Sequence, residues 1–201
     1  GEIDRLADVI RTTIDRGGSV LIPLFALGKS QELLLILHWL KMTGELAEEI
    51  PIYVGGLTTK MTVTHDRFAD TSHRNHRGFR FLTGGMDLIV ASKKRKKKDK
   101  NRSIPYDSGR IYALSSGMMT ENTVSHGFAR HTLPDERNSV RLVGYSAPDS
   151  PGGRRLGASA DTHFQLDADA PPITLRCQSS PLDCSRRATS AERRRSTLCV
   201  Q

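Results

Sequence analysis

The stretch from Gly17 to Met42 reads GGSVLIPLFALGKSQELLLILHWLKM and joins a short apolar run to a longer one. The first run, Ser19–Leu24, has the length of a strand and is apolar almost throughout, which is typical of a strand buried on both faces of a parallel sheet. Gly28 then permits a turn, and the apolar residues of 31–42 indicate a helix. The stretch therefore predicts one strand–helix unit of an α/β fold.

The same alternation of strand and helix recurs on both sides of this unit. Further strands are predicted at residues 51–54, 88–91, 110–114 and 139–145, and further helices at residues 2–16, 57–69 and 122–132. Such spacing predicts a three-layer α/β domain with a mostly parallel sheet flanked by helices, spanning residues 1–158. Beyond it the pattern fades, so we predict a separate, poorly packed C-terminal segment over residues 159–201.

The positive charge of the chain is concentrated in one segment. The formal net charge is +8, and residues 93–102 alone hold eight basic side chains and one acidic side chain. Side chains of such density repel each other and need water, so the segment around Lys94, Arg95 and Lys96 is predicted to be a solvated loop or a contact for nucleic acid. A nuclear targeting signal is a third interpretation of the same run, and the sequence leaves all three open.

The cysteines and the hydropathy pattern bear on location. The three cysteines, Cys177, Cys184 and Cys199, form no C-x-x-C pair, which indicates free thiols in a reducing compartment and predicts a cytoplasmic protein. No apolar run reaches 18 residues, so no membrane is expected among the partners. The chain starts directly in a helical pattern, and we expect it to be a domain of something longer.

Two motifs that suggest other chemistry are weak. Residues 23–30 match the phosphate-loop pattern G-x-x-x-x-G-K-[ST] except at the first position, where Pro23 removes an N–H group and fixes φ. Nucleotide hydrolysis is therefore disfavoured, although the helix start at Gly28, Lys29 and Ser30 could still face an anion.

The histidines are not predicted to hold a metal ion. The closest spacings are His73 to His76 and His126 to His131, and neither pair has a carboxylate or cysteine cluster beside it. We therefore expect no zinc site wholly within this chain.

The residues Ser115, Ser116, Gly117 and Met118 follow a predicted strand and precede a predicted helix. In open α/β sheets, ligands bind at the carboxyl ends of the strands. Hydroxyl groups and bare backbone amides at such a place suit a phosphate. An ordinary turn with a serine capping the helix explains the same residues, and the spacing alone does not decide between the two.

Several blocks of the sequence carry a resemblance to a known family. The block Gly17–Glu32 resembles the G-G-x-V-L-[IL]-P-x-F-A-L-G-[RK]-x-Q-E motif of β-CASP nucleases, and Pro51–Val54 resembles the strand that follows it. Leu114–Met119 is similar to the A-S-S-G-M block of that family. The ranges Asn138–Pro148 and Pro151–Leu156 resemble its N-x-V-x-x-V-G-Y-Q-A block and the continuation. The blocks occur in the family's order.

The resemblance implies a β-CASP domain of a metallo-β-lactamase-fold nuclease, a family that cuts RNA with two zinc ions. The family's H-x-H-x-D-H motif would precede Gly1, and Arg187 stands where a zinc-binding histidine belongs. A guanidinium cannot ligate zinc, so we expect zinc in the intact protein but none bound by this chain, which should be inactive alone. Expected partners are RNA, the metallo-β-lactamase domain and a second copy of the chain in a homodimer.

The resulting hypothesis is that the chain holds substrate phosphates for an RNA-processing hydrolase. The alternative is a non-catalytic RNA-binding module that uses the basic segment. The candidate RNA-binding or phosphate-binding residues are Ser115, Ser116, Gly117, Met118, Lys29, Arg154, Lys94, Arg95 and Lys96.

Overall fold

The computed structural model describes residues 1–71, 79–83, 88–90 and 105–182, in which helices and strands alternate as predicted. The helices are α1 (Glu2–Asp15), α2 (Lys29–Met42), α3 (Leu57–Arg67), α4 (Val124–Thr132) and α5 (Pro151–Gly157). The strands are β1 (Val20–Pro23), β2 (Ile52–Gly55), β3 (Leu88–Val90), β4 (Ile111–Leu114), β5 (Ser139–Val143), β6 (His163–Phe164), β7 (Ile173–Thr174) and β8 (Gln178–Leu182).

The main sheet has six strands in the order β3-β2-β4-β1-β5-β8, and every neighbouring pair in it is parallel. The chain therefore moves from β1 towards β2 and β3 on one side, and from β4 across β1 to β5 on the other. The predicted parallel sheet is confirmed. The connections that leave β1 and β4 run in opposite directions along the sheet. In open sheets of this kind the carboxyl ends of two such strands border a crevice.

Side chains of the central strands alternate between two apolar layers. In β1, Val20 and Ile22 pack in one cluster with α1 and α2, whereas Leu21 packs in the other cluster with α4. In β4, Ala113 and Tyr112 divide between the clusters in the same way. Burial on both faces explains why these strands are continuously apolar in sequence, and it confirms the three-layer architecture.

Residues 159–182 pack against this body. Strands β6 and β7 form an antiparallel pair, and β8 extends the main sheet by pairing with β5 from Ser139↔Gln178 to Val143↔Leu182. Phe164, Leu175 and Cys177 are buried with the α4 layer. Sequence analysis predicted none of these strands. Residues 183–201 lie outside the described part of the chain.

Asn138 joins several elements at the amino end of the sheet. Its Oδ1 accepts a hydrogen bond from the backbone N–H of Ser19 at 2.8 Å, and its Nδ2 donates to the Tyr106 hydroxyl at 2.7 Å and to the Thr132 carbonyl at 3.3 Å. The side chain is 3% exposed. This asparagine therefore holds β1, β5, α4 and the loop before β4 together.

Among the described helices, none combines the length and the apolar character needed to cross a bilayer.

Candidate functional site

The carboxyl ends of β1 and β4 meet at a turn formed by Ser115–Met119. Gly117 lies so close to the chain after β1 that an added Cβ would stand 3.1 Å from the Leu24 carbonyl carbon and 3.1 Å from the Phe25 nitrogen. A side chain at this position would press against the backbone of Leu24 and Phe25. The predicted group of Ser115, Ser116, Gly117 and Met118 is thus placed at the sheet edge where ligands bind in open α/β folds.

The Ser115 hydroxyl is occupied by the neighbouring helix. Its Oγ accepts hydrogen bonds from the backbone N–H groups of Leu57 at 2.9 Å and Thr58 at 3.4 Å, at the start of α3. Gly56, with φ of +71°, makes room for this contact, because an added Cβ would lie 2.6 Å from the Ser115 Oγ. Ser115 therefore satisfies N–H groups that a helix start leaves without intrahelical partners.

The Ser116 side chain stabilises the turn itself. Its Oγ lies 2.8 Å from the Thr120 Oγ1 and accepts from the Thr120 backbone N–H at 3.2 Å. The peptide bond between Ser115 and Ser116 is cis. The Ser116 carbonyl accepts from the Ser125 hydroxyl at 2.7 Å and from the Met119 N–H at 3.3 Å.

Among the backbone donors of the turn that remain are the N–H groups of Gly117 and Met118. No acceptor for either lies among residues 1–71, 79–83, 88–90 and 105–182. Gly117 is buried, and a buried N–H without a partner costs about 1–3 kcal/mol unless water or a ligand supplies an acceptor. Two adjacent donors of this kind can bind one anionic oxygen.

Lys29 and Arg154 lie on α2 and α5, the helices that follow β1 and β5. Lys29 is the first residue of α2, and its Nζ pairs with the Glu32 carboxylate at 2.8 Å. The Arg154 guanidinium lies 5.4 Å from the centroid of the Phe164 ring. The Met118 carbonyl accepts from the Gly152 N–H at 2.9 Å, which brings the start of α5 beside the turn. Neither cation contacts the turn directly in these interactions.

The remaining candidates fall outside the described residues. Lys94, Arg95 and Lys96 belong to the segment 91–104, and Arg187 belongs to the segment 183–201. Their predicted roles stay predictions.

The described residues do not fit a zinc pair. Among them, no three His, Cys, Asp or Glu side chains converge to hold a metal ion. His126 uses its Nε2 to contact the Asp167 carboxylate at 2.8 Å, and Arg130 pairs with the same carboxylate. Cys177 is buried, and burial raises the pKa of its thiol, which disfavours the thiolate that binds metals.

Sequence analysis missed the residues that hold the turn. Ser125 and Gly152 bind its carbonyls from α4 and α5; Gly152 lies in a block that resembles the family, but no contact with the turn was predicted for it, and Ser125 does not stand out in the sequence. A serine in the first turn of a predicted helix is a common capping residue, so no local signal separates Ser125 from that ordinary role.

The family model for the Beta-Casp domain matches residues 30–156 of the chain. The chain belongs to the β-CASP family. The match extends from α2 to α5 and includes the turn at Ser115–Met119. The resemblance predicted from the sequence blocks is therefore confirmed.

Relatives of this β-CASP chain include a transcription termination factor and an endoribonuclease. It is 31% identical over 149 residues to the transcription termination factor FttA of Methanocaldococcus jannaschii, which covers 73% of the chain and 23% of that protein. It is 33% identical over 178 residues to the endoribonuclease YSH1 of Candida glabrata, which covers 87% of the chain and 23% of that protein. The chain therefore spans less than a quarter of the relatives it matches.

Proposed function

We propose that this β-CASP domain holds the phosphate backbone of RNA at the carboxyl edge of its sheet, as part of a zinc-dependent RNA-processing nuclease. The observation that carries the proposal is the pair of N–H groups at Gly117 and Met118, which have no acceptor within the described part of the chain. They lie at the edge where α/β sheets bind ligands, in a family whose relatives include a named endoribonuclease.

The contact would use backbone amides rather than serine hydroxyls. The Ser115 and Ser116 hydroxyls already serve α3 and the turn, so their role is to shape the site. Amides of fixed orientation bind a phosphate of any nucleotide, because a phosphate oxygen carries no base identity. Such a subsite therefore orients RNA without selecting its sequence.

The metal chemistry would belong to the rest of the longer protein. Zinc in this family supplies activated water and charge neutralisation for phosphodiester hydrolysis. The described residues of this chain offer no ligand set for it. The chain's own contribution would be to hold a substrate phosphate in place.

Exposed apolar side chains suggest where the metallo-β-lactamase domain would pack. Phe25, Leu27, Leu57 and Tyr145 are 36%, 68%, 52% and 71% exposed, and they follow β1, β2 and β5 at the same carboxyl edge. We call them the carboxyl rim. Large apolar side chains grouped on a surface mark interaction sites, and most of the length of the matched relatives lies outside this chain.

The alternative function is an RNA-binding module that depends on the basic segment. The concentration of positive charge in residues 93–102 favours it. The two functions differ in which residues the affinity for RNA requires.

A variant that lacks three positive charges of the basic segment separates the two functions. Lys94, Arg95 and Lys96 are replaced together by Gln, and the affinity for a single-stranded RNA is measured by fluorescence anisotropy in a chelator. If RNA binds at the carboxyl edge, the variant should still bind RNA, but its affinity should depend less on salt. Each lost phosphate contact reduces the slope of log affinity against log salt concentration by about 0.7. Complete loss of binding would reject the edge and support the alternative.

The control variant removes the same charge elsewhere. Arg5, Arg67 and Arg176 are exposed and are replaced together by Gln. Their loss should leave the affinity nearly unchanged under either function. The homodimer and the cytoplasmic location stay predictions, which size-exclusion chromatography of the chain and imaging of a tagged protein would test.

A further inference from the structure

Ser125 contacts two consecutive carbonyls of the turn. It is the second residue of α4 and is completely buried. Its backbone N–H donates to the Ser115 carbonyl at 3.1 Å, and its Oγ donates to the Ser116 carbonyl at 2.7 Å. The N–H groups of a first helical turn lack intrahelical partners, so this residue can serve the turn without weakening its own helix.

We infer that Ser125 is a positioning residue that sets the orientation of the Gly117 N–H group for a phosphate. This inference rests on the proposed function of the turn. A peptide group is planar, and in a trans peptide the carbonyl and the following N–H point in opposite directions. The Ser125 hydroxyl fixes the Ser116 carbonyl towards α4, and the Gly117 N–H is thereby fixed away from α4.

Capping of α4 does not account for this serine. The cap is Thr123, whose Oγ1 accepts from the His126 N–H at 3.4 Å. The Ser125 hydroxyl instead donates across the turn, nine residues back along the chain. Without it, the Met119 N–H at 3.3 Å is the one donor to the Ser116 carbonyl that remains within the described ranges of the chain.

The consequence is preorganisation of the anion site. A donor that already points at its ligand binds more tightly, because no free energy is lost in ordering it on binding. A turn that can rotate this peptide presents the donor only part of the time. Loss of the Ser125 hydroxyl should therefore weaken phosphate binding more than its effect on stability suggests.

The test compares Ser125→Ala with Thr132→Val. Thr132 lies on the same helix, is also buried, and its Oγ1 donates to the Phe128 carbonyl at 2.9 Å. Each variant removes a buried hydroxyl that donates to a backbone carbonyl and lies near a second hydroxyl, so both should lose similar stability, about 1 kcal/mol, in urea unfolding. Ser125→Cys, which preserves the shape with a weak donor, replaces Ser125→Ala if the alanine variant does not fold.

Affinity for single-stranded RNA is measured in the background where Lys94, Arg95 and Lys96 are glutamine, so that the edge dominates binding. Ser125→Ala should weaken binding about tenfold, as expected for one impaired hydrogen bond to a charged group, while Thr132→Val changes it little. Equal affinities in the two variants would overturn the positioning role and leave the proposed function intact. If the variant with glutamine at positions 94, 95 and 96 does not bind RNA at all, that result rejects the proposed function itself.

Discussion

Gly56 shows how one residue can determine the geometry of the candidate site. Its φ is +71°, which disfavours residues with a side chain, and a Cβ added here would lie 2.6 Å from the Ser115 Oγ. Gly44 has a similar φ of +73° but nothing within 4 Å of an added Cβ. Gly56 therefore combines a positive φ, a ψ of −143° and a close contact with Ser115, whereas a side chain added at Gly44 would meet open space.

Alanine at each position tests this difference. Gly44→Ala should cost about 1 kcal/mol through its positive φ, and Gly56→Ala should cost clearly more, because its ψ of −143° strains an alanine and the new methyl group displaces Ser115 from α3. Urea unfolding of both variants gives the comparison. Equal losses would mean that the Ser115 contact contributes nothing.

Tyr112 anchors the loop that leads into β4. Its hydroxyl accepts from the Asp107 N–H at 2.8 Å and lies 2.9 Å from the Pro105 carbonyl, and burial raises its pKa to about 12. Tyr112→Phe should lose about 0.5–1.5 kcal/mol, because the Asp107 N–H and the Pro105 carbonyl lose their hydrogen bonds to the hydroxyl. Tyr145→Phe, at a 71% exposed residue, is the control and should unfold like the wild type.

His38 gives the stability a dependence on pH. Burial, and next the charge of Lys41, lowers the pKa of His38 below its ordinary value of 6.5. The unfolded chain therefore binds more protons at this site than the folded chain, so stability falls as pH falls from above 6.5 through the lowered pKa. When the pH is lowered from about 7.5 to about 5.5, the free energy of unfolding of His38→Gln should fall less than that of the wild type. An identical loss in both proteins would contradict this.

Among the elements, the central strands were predictable and the last ones were not. Strands β1 and β4 are apolar on both faces, and that pattern follows from burial in a parallel sheet. Strand β8 reads QSSPL, is only partly buried and includes Pro181, which suits the edge of a sheet. Its position depends on pairing with β5, a contact far away in sequence.

Helix α5 was missed for a local reason. It begins Pro-Gly-Gly, and glycine disfavours a helix interior by about 1 kcal/mol relative to alanine. The helix nevertheless forms, because the Ser150 Oγ accepts from the Gly153 N–H at 3.1 Å and Arg155 donates to the Cys177 carbonyl at 2.7 Å. These tertiary contacts outweigh the weak local preference.

The position of the candidate site was predictable, but the roles of its atoms were not. The end of β4 and the serines after it located the turn. That Ser115 would bind α3, and that Ser125 would bind the turn, depends on how α3 and α4 pack beside β4. One sequence contains no pattern for such contacts.

Asn138 provides a prediction for the connection between elements. Asn138→Ala leaves the Ser19 N–H and the Thr132 carbonyl without their side-chain partner. Each buried group that loses its partner costs about 1–3 kcal/mol, so the variant should be among the most destabilised single changes. Urea unfolding measures it, and Glu49→Ala, at an exposed position, is the control. Similar midpoints for the two variants would exclude the connecting role.

At the scale of the whole molecule, the carboxyl rim predicts where a second domain packs. In a longer protein that joins this chain to a metallo-β-lactamase domain, Leu27→Ser should lower the melting temperature, because the leucine would be buried between the domains. Met42→Ser is the control, since Met42 is 66% exposed at the opposite end of α2. In the isolated chain neither change should matter. Equal effects of both variants in the longer protein would place the interface elsewhere.

The most direct test of the account is an amide map of RNA binding. Backbone N–H resonances of the isotope-labelled chain are followed by NMR while a short single-stranded RNA is added in the presence of a chelator. If the turn binds phosphate, the resonances of Gly117 and Met118 should show saturable shifts that salt reverses, with smaller changes at the amino end of the sheet around Asn138. Shifts confined to the basic segment, with Gly117 and Met118 unchanged, would contradict it.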